Sequence, residues 1–582
     1  MADATQLSDQ FLYQCAVKPD TPVKISKSKT VVEVPDNNQG SYSSGLITLD
    51  AASQLNGSKR FGSIKDGYII LPYVITMKNA GANDMAAAAH RFCLGLKCGV
   101  WNVVDALEVE LNGQQLINFE DYKLYWNNIR AQTEWTAAEV SKHGADAYLY
   151  PDDWSSMAYS GSATTAGDGF VNNGTYTADV LGATATGSSL LLNKGYTNRL
   201  LATPPPVATT TTTLGDTGAK TFGWPTLQSG VSQAIAQQHG RGAFVAGLAT
   251  AGNIMGTGYY MLKIRLTDLH PIFKDLDLVA NPQLKLRLRV NTGYTDITVA
   301  SGHVMSLSST VMNAGKTVPF IVSSATTNNA MNAVLHATNP TTLRVAFGPL
   351  MNSLTTLATA GNYFPFTTSH LLIPFYDLAN PTEIVRKPVK TCRYMDCYAQ
   401  YFSGRAGTGV SSSQQNASFN FQLSGTWKNV KYVALIPFSE TSSGHFATAT
   451  AQQFESPFDS APWTCQAGSS IRGFQVQIGN TNVFPKAIDY DYEQFLDEFA
   501  KINAINGDHS RELTNGLIDL QKWSTVNRVL IADCSRLTDP DVPQSVNVAG
   551  VNGSCQGTNV LILVVFEKSF DIDRLTGEVS KD

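Results

Sequence analysis

Residues 107–129, LEVELNGQQLINFEDYKLYWNNI, and residues 476–499, VQIGNTNVFPKAIDYDYEQFLDEF, make the same statement twice, more than three hundred residues apart. In the first, Leu107, Val109 and Leu111 alternate with Glu108 and Glu110, the period of a half-buried strand. Asn112-Gly113 supplies the left-handed positions of a tight hairpin turn, and a second short strand follows. A helix is then expected, with Phe119, Tyr122, Trp126 and Ile129 on one face, Asn118 as cap, and Glu120 and Asp121 in the first turn. The second stretch repeats the order: strand, turn with Gly and Asn, short strand, helix. Its apolar stripe is Tyr492, Phe495, Leu496, Phe499 and Ile502, with Asp489, Asp491 and Glu493 at the start and Lys501 near the end.

Each stretch is followed by what reads as a closing pair of strands. In the first half these are YYMLKIRLTDL (259–269) and QLKLRLRV (283–290); in the second, NRVLIADCSRL (527–537) and NVLILVVFEKSF (559–570). In 283–290, Leu284, Leu286, Leu288 and Val290 face inward, and Lys285, Arg287 and Arg289 face water. GYIILPYVITM (67–77) and 559–570 are apolar on both faces and should be covered on both. Pro72 removes a ladder donor, which puts the former at an edge or a bulge. Matching order as well as matching type points to an internal duplication of one β-sandwich unit.

Length agrees. A chain of 582 residues exceeds the roughly 250–300 residues at which one core stops growing. Charged residues make up 15%, against about 25% in average soluble chains; Ser, Thr, Asn, Gln, Gly and Ala fill the gap. That suits β-rich bodies with polar loops and surfaces covered by neighbours. The formal net charge of −5 lacks the basic stripe of a nucleic-acid binder. KPDTPVKISKSK, with Lys18, Lys24, Lys27 and Lys29, reads as a solvated N-terminal arm. The N-terminus shows no apolar signal region and no window of about 20 apolar residues occurs, so synthesis in the cytoplasm or nucleus is expected. Between Tyr150 and Arg241 periodicity dissolves into Ser/Thr/Gly/Pro-rich chain, with shorter loops expected at Ser301–Asn339 and Gly404–Asn416.

Chemistry is scarce. Motifs for a P-loop, zincin, EF-hand or nucleophile elbow are missing. The eight cysteines (15, 93, 98, 392, 397, 465, 534, 555) include two C-x4-C pairs without histidines at zinc spacing, and read as small core residues. His90, His270 and His509 have no Ser or Cys partner in sequence and read as ordinary surface or capped histidines. Glu108 and Glu110 share a strand face, as a glycosidase pair could, but they also simply alternate outward. Asp571 and Asp573 are equally ambiguous. Four N-x-S/T sequons begin at Asn56, Asn173, Asn416 and Asn552. No catalytic, cofactor-binding or metal-binding residue is assigned.

Three segments carry a family resemblance: LNGQQLINFEDYKLYWNNIRAQTEW (111–135), LKIRLTDLHPIFKDLDLVANPQLKLRLRV (262–290) and VFEKSFDIDRLTGEV (565–579). Together with the duplication they resemble the double jelly-roll major capsid proteins of virophages and polinton-like viruses, in the lineage that includes adenovirus hexon. The resemblance does not extend to 155–240. It implies an all-β chain of two tandem eight-stranded jelly-roll sandwiches, each with a short helix and long loops. The expected division is an arm at 1–29, a first jelly roll at 30–295 with an insertion at 155–240, a second at 296–573, and a tail at 574–582. It further implies a non-enzymatic capsid protein forming pseudo-hexagonal homotrimers that tile an icosahedral shell around a DNA genome. The implied partners are the chain itself, neighbouring trimers, and penton and minor capsid proteins, without cofactors or specific nucleic-acid binding. Contact with an internal membrane has no support in the residues. Two rival readings are a tandem-sandwich carbohydrate-active enzyme and a glycan-binding adhesin.

Overall fold

In the computed structural model of the chain, the described residues are 26–39, 42, 45–55, 60–85, 92–96, 98–151, 200–202, 236–239, 242–246, 250–299, 301, 320–324, 336–349, 368–410, 413–439, 470–502, 516–525, 528–535, 537, 539, 541–554 and 556–581.

The first half supplies β1 (Ser26–Pro35), β2 (Leu46–Asp50), β3 (Tyr68–Asn79), β4 (Val104–Leu111), β5 (Gln114–Ile117), β6 (Ile254–Arg265), β7 (Leu284–Val290), β8 (Gly293–Val299), β9 (Thr341–Pro349) and β10 (His370–Leu378). One sheet has the order β2-β7-β4-β5. In the other, β3 is flanked by β6 on one side and by β10 and β9, end to end, on the other. Outside these lie β1, paired with β10, and β8, paired with β9. The second half supplies β11 (Val389–Val410), β12 (Ala417–Trp427), β13 (Val430–Ser439), β14 (Ile471–Ile478), β15 (Thr481–Asn482), β16 (Leu530–Asp533), β17 (Gln544–Asn552) and β18 (Gln556–Asp573), with sheets β12-β17-β14-β15 and β11-β18-β13-β16. β19 (Val579–Lys581) turns back onto β18.

The two halves have one topology. β2-β7-β4-β5 corresponds strand for strand to β12-β17-β14-β15, and β1/β8, β10/β9, β3 and β6 correspond to β11, β18, β13 and β16. This alternation of sequential strands between two facing sheets is the jelly roll. The 107–111 and 476–478 strands occupy equivalent places, as the repeated sentence required. Asn112 (φ 50) and Gly113 (φ 80) make the expected turn, and β18 is a central strand buried from Val560 to Phe566.

Several expectations are corrected. Residues 283–290 form the penultimate strand of the first unit, equivalent to 544–552 and not to 559–570. The closing strand of the first unit is β9 plus β10, two segments separated in sequence by residues 350–369, whereas its counterpart β18 runs unbroken for 18 residues. β8, β9 and β10 pair within the first half's sheet, and the second half's pairing starts at Val389. Val579–Lys581 of the tail, as β19, pair with β18 in the second unit's sheet. Lys27 and Lys29 of the arm already lie in β1, Lys29 above the Tyr376 ring. Gly404–Val410 continues β11 where a loop was expected. Pro72 sits in a central strand, at the point where pairing on one side stops at Ile70 and resumes at Tyr73, a break that a residue without an N–H tolerates. Of the long stretch 155–240, only 200–202 and 236–239 are described, both as strands.

Helix α1 begins at Trp126 and ends at Glu134, later than expected. Asn118 does not cap it, and a single 3-10 turn at Lys123–Tyr125 leads in from Tyr122, which is left-handed (φ 63). Helix α2 spans Tyr492–Ile502; Asp491 accepts from the Gln494 N–H at 2.8 Å, and Phe495 and Phe499 are buried. Both follow the short fourth strand of their sheet, so they too are equivalent.

Candidate functional site: the junction between the sandwiches

The two cores interpenetrate. Tyr125, from the turn before the first half's helix, and Trp126 and Ile129, from the helix itself, pack in the second core. Cys392, Tyr394, Phe570, Ile572 and Val579, from the second half, pack in the first. Backbone bonds tie the seam: Leu517 N–H donates to Gln132 O (3.0 Å) and Ala280 N–H to Arg574 O (2.9 Å). Lys390 Nζ reaches Asp277 Oδ1 at 2.7 Å, and Trp126 Nε1 donates to the Tyr432 hydroxyl at 2.9 Å.

At the centre of this seam three polar side chains from three segments converge on Asp396 of β11, which is 1% exposed. Lys123 Nζ lies 2.5 Å from Oδ1, and Lys568 Nζ 2.8 Å from Oδ2. The Cys397 N–H donates to Oδ1 at 2.8 Å. His270 accepts the Ile272 N–H on Nδ1 (3.2 Å), so its proton sits on Nε2 and is donated to Asp396 Oδ1 at 3.3 Å. Glu120 Oε2 is 3.8 Å from Lys123 Nζ; it is buried and makes no hydrogen bond among the described residues. The left-handed Tyr122 aims Lys123 inward, a conformation costing about 1–3 kcal/mol that concentrates at functional positions.

Burial alone would raise the Asp396 carboxyl, but Lys123, His270 and Lys568 outweigh it and hold it well below the usual carboxylate range. Burial likewise opposes the charge on Lys123, and Asp396 with Glu120 turns the balance upward. Glu120 is raised by burial, which Lys123 offsets only in part. Burial pushes His270 down to about 4 despite its bond to Asp396. A cleft of about 680 Å³, bordered by Glu120, Lys123, Asp396, Tyr398, Trp427 and Lys568, opens this cluster to the outside.

Of the residues singled out from sequence, His270 lies in this cluster and the others fall elsewhere. Glu108 pairs with Arg287 (2.9 Å) and Glu110 with Lys285 (3.9 Å), each directly opposite across β4 and β7. They are rungs of a charged ladder rather than an acid–base pair facing a cleft. Asp571 accepts from Thr391 Oγ1. Asp573 accepts the Leu575 and Thr576 N–H groups, which lower its carboxyl, and so closes a turn. His270 does cap a turn, but at the buried junction and not at the surface; its place just before Pro271 was the available signal. Lys123, Asp396 and Lys568 were missed; a lone acid inside the otherwise aromatic and apolar CRYMDCYAQYF (392–402) was the only hint. Cys98, Cys392, Cys397 and Cys534 are buried; burial pushes the Cys392 thiol up to about 11. Among the described residues no group of three or more His, Cys, Asp or Glu could hold a metal. Asn552 is buried and donates to Ala406 O, and the Asn416 amide accepts from Arg472. His90, His509, Cys15, Cys465, Cys555, Asn56, Asn173, Lys18 and Lys24 lie outside the described residues, as does the Cys93 side chain.

No protein-family model matches the chain, and no curated protein matches it. Among solved structures, a chain of the Sputnik virophage superposes with a TM-score of 0.51 at 10% identity, covering 97% of this chain and 90% of that one. The mavirus major capsid protein aligns with a TM-score of 0.44 at 10% identity (97% and 92% covered), and the Faustovirus major capsid protein with 0.43 at 9% (95% and 92%). At such identities the Sputnik likeness speaks for the fold: the chain is a double jelly roll.

Proposed function

We propose that the chain is the major capsid protein of an icosahedral virus, assembling as pseudo-hexagonal homotrimers that tile a shell around a DNA genome. One observation carries the reading: two jelly rolls of the same topology are fused side by side through a shared, buried seam. Three copies of such a pair around a threefold axis give six similar bodies and a nearly six-sided block, with heterologous contacts that close the ring. The Sputnik likeness, over nearly the whole chain, is to a component of a virus particle. The first jelly roll would run from about Ser26 to Leu378 and the second from Val389 to Lys581, following the strand pairing. Partners are other copies, neighbouring trimers, and penton and minor capsid proteins. The role is structural: Glu108 and Glu110, the best acid–base candidates, are held by cross-strand cations. Particles purified from cells producing the chain test this. The chain should be the dominant protein of the shell by mass spectrometry; particles lacking it, or containing it only in trace, would overturn the reading.

A further inference from the structure

The geometry points to a covalent bond at the junction: an isopeptide formed between Lys123 Nζ and Asp396 Cγ, with the Glu120 carboxyl carrying the proton. Three features set this pair apart from an ordinary surface ion pair. The amine nitrogen and the carboxyl oxygen stand 2.5 Å apart with both side chains almost fully enclosed. A second carboxyl, Glu120, lies 3.8 Å from the same nitrogen, with that oxygen buried and without a hydrogen bond among the described residues. Aromatic rings wall the site: Trp126 and Tyr394 pack against His270, and Tyr394 against Phe570.

The step balances without any co-reactant. The Lys123 ammonium gives one proton to the Asp396 carboxylate, which becomes a neutral acid with its hydrogen on Oδ2. The freed Nζ lone pair attacks Cγ, a C–N bond forms, the Glu120 carboxylate takes a second proton from that nitrogen, and negative charge gathers on Oδ1. That oxygen already receives the Cys397 N–H and the His270 Nε2–H, donors placed as an oxyanion hole requires. Glu120 returns its proton to the departing hydroxyl at Oδ2, beside the Lys568 ammonium. The C–O bond breaks, water exits through the cleft, and an ammonium plus a carboxylate have become an amide plus water. The pair is held at contact by the fold, so the reaction needs no encounter.

Consequences follow from topology. The bond joins the segment after β5 of the first jelly roll to β11 of the second, closing a loop of about 270 residues and limiting the unfolded chain accordingly. The inference stands on the junction alone and does not need the capsid reading.

Intact mass and peptide mapping of the purified full-length chain test it. The expected result is a mass one water below that of the sequence, a branched peptide linking Lys123 to Asp396, and restoration of the full mass in Glu120→Gln. A folded wild-type chain with its full mass would overturn the proposal. So would a water lost at another site, or a Glu120→Gln chain that keeps the bond. The wild-type peptide map decides the matter even if the variant fails to fold.

Discussion

Asp396 holds the junction together whether or not it becomes an amide, because Lys123, Lys568 and His270 all depend on it. Replacing it with Ala leaves Lys123 buried without its partner, and breaking such a pair costs about 3–5 kcal/mol; the shift of the unfolding midpoint in denaturant measures it. His270 adds a pH dependence whose sign is fixed by its depressed titration. Its folded value is about 4 against 6.5 for the free side chain, so the unfolded chain binds the extra proton first. Stability is therefore complete above about pH 6.5 and falls as pH drops toward 4, by about 3 kcal/mol in all at 1.36 kcal/mol per pH unit. A His270→Asn variant should flatten that slope across the same range, measured by denaturant midpoints at several pH values. A slope unchanged in the variant would show that the loss originates elsewhere. Little of this was legible in the sequence. Lys123, His270, Asp396 and Lys568 come from segments up to 445 positions apart, and no periodicity joins them.

Helix α1 shows what a pattern can and cannot reveal at the scale of elements. Its stripe of Trp126 and Ile129 was readable, since both recur at helical spacing. Which core they enter was not: the helix belongs to the first jelly roll yet buries Trp126 in the second. Trp126→Ala should cost about 3–5 kcal/mol and should split a single unfolding transition into two, seen by calorimetry, because it empties the plug joining the cores. One unsplit transition at the wild-type temperature would show that the seam does not depend on it. The helix start was misread because Asn118, Glu120 and Asp121 imitate a capped first turn, while the backbone instead turns left-handed at Tyr122. Strand order slipped for a related reason. β17, QSVNVAGVN, keeps period two but points Gly550 and Asn552 inward with Val546 and Val548, so it signals weakly beside the apolar 559–570 that follows.

For the whole molecule, duplication was the most legible property, because the order strand, turn, strand, helix survives where identity does not. Residues 350–369 stand in sequence between β9 and β10, and both strands pair within the first half's sheet. The proposed assembly rests on two jelly rolls of one topology joined in one chain. Sedimentation of the purified full-length protein, with negative-stain imaging of the same sample, tests that most directly. The account predicts a homotrimer with a six-sided outline. A stable, monodisperse monomer at micromolar concentration would contradict it.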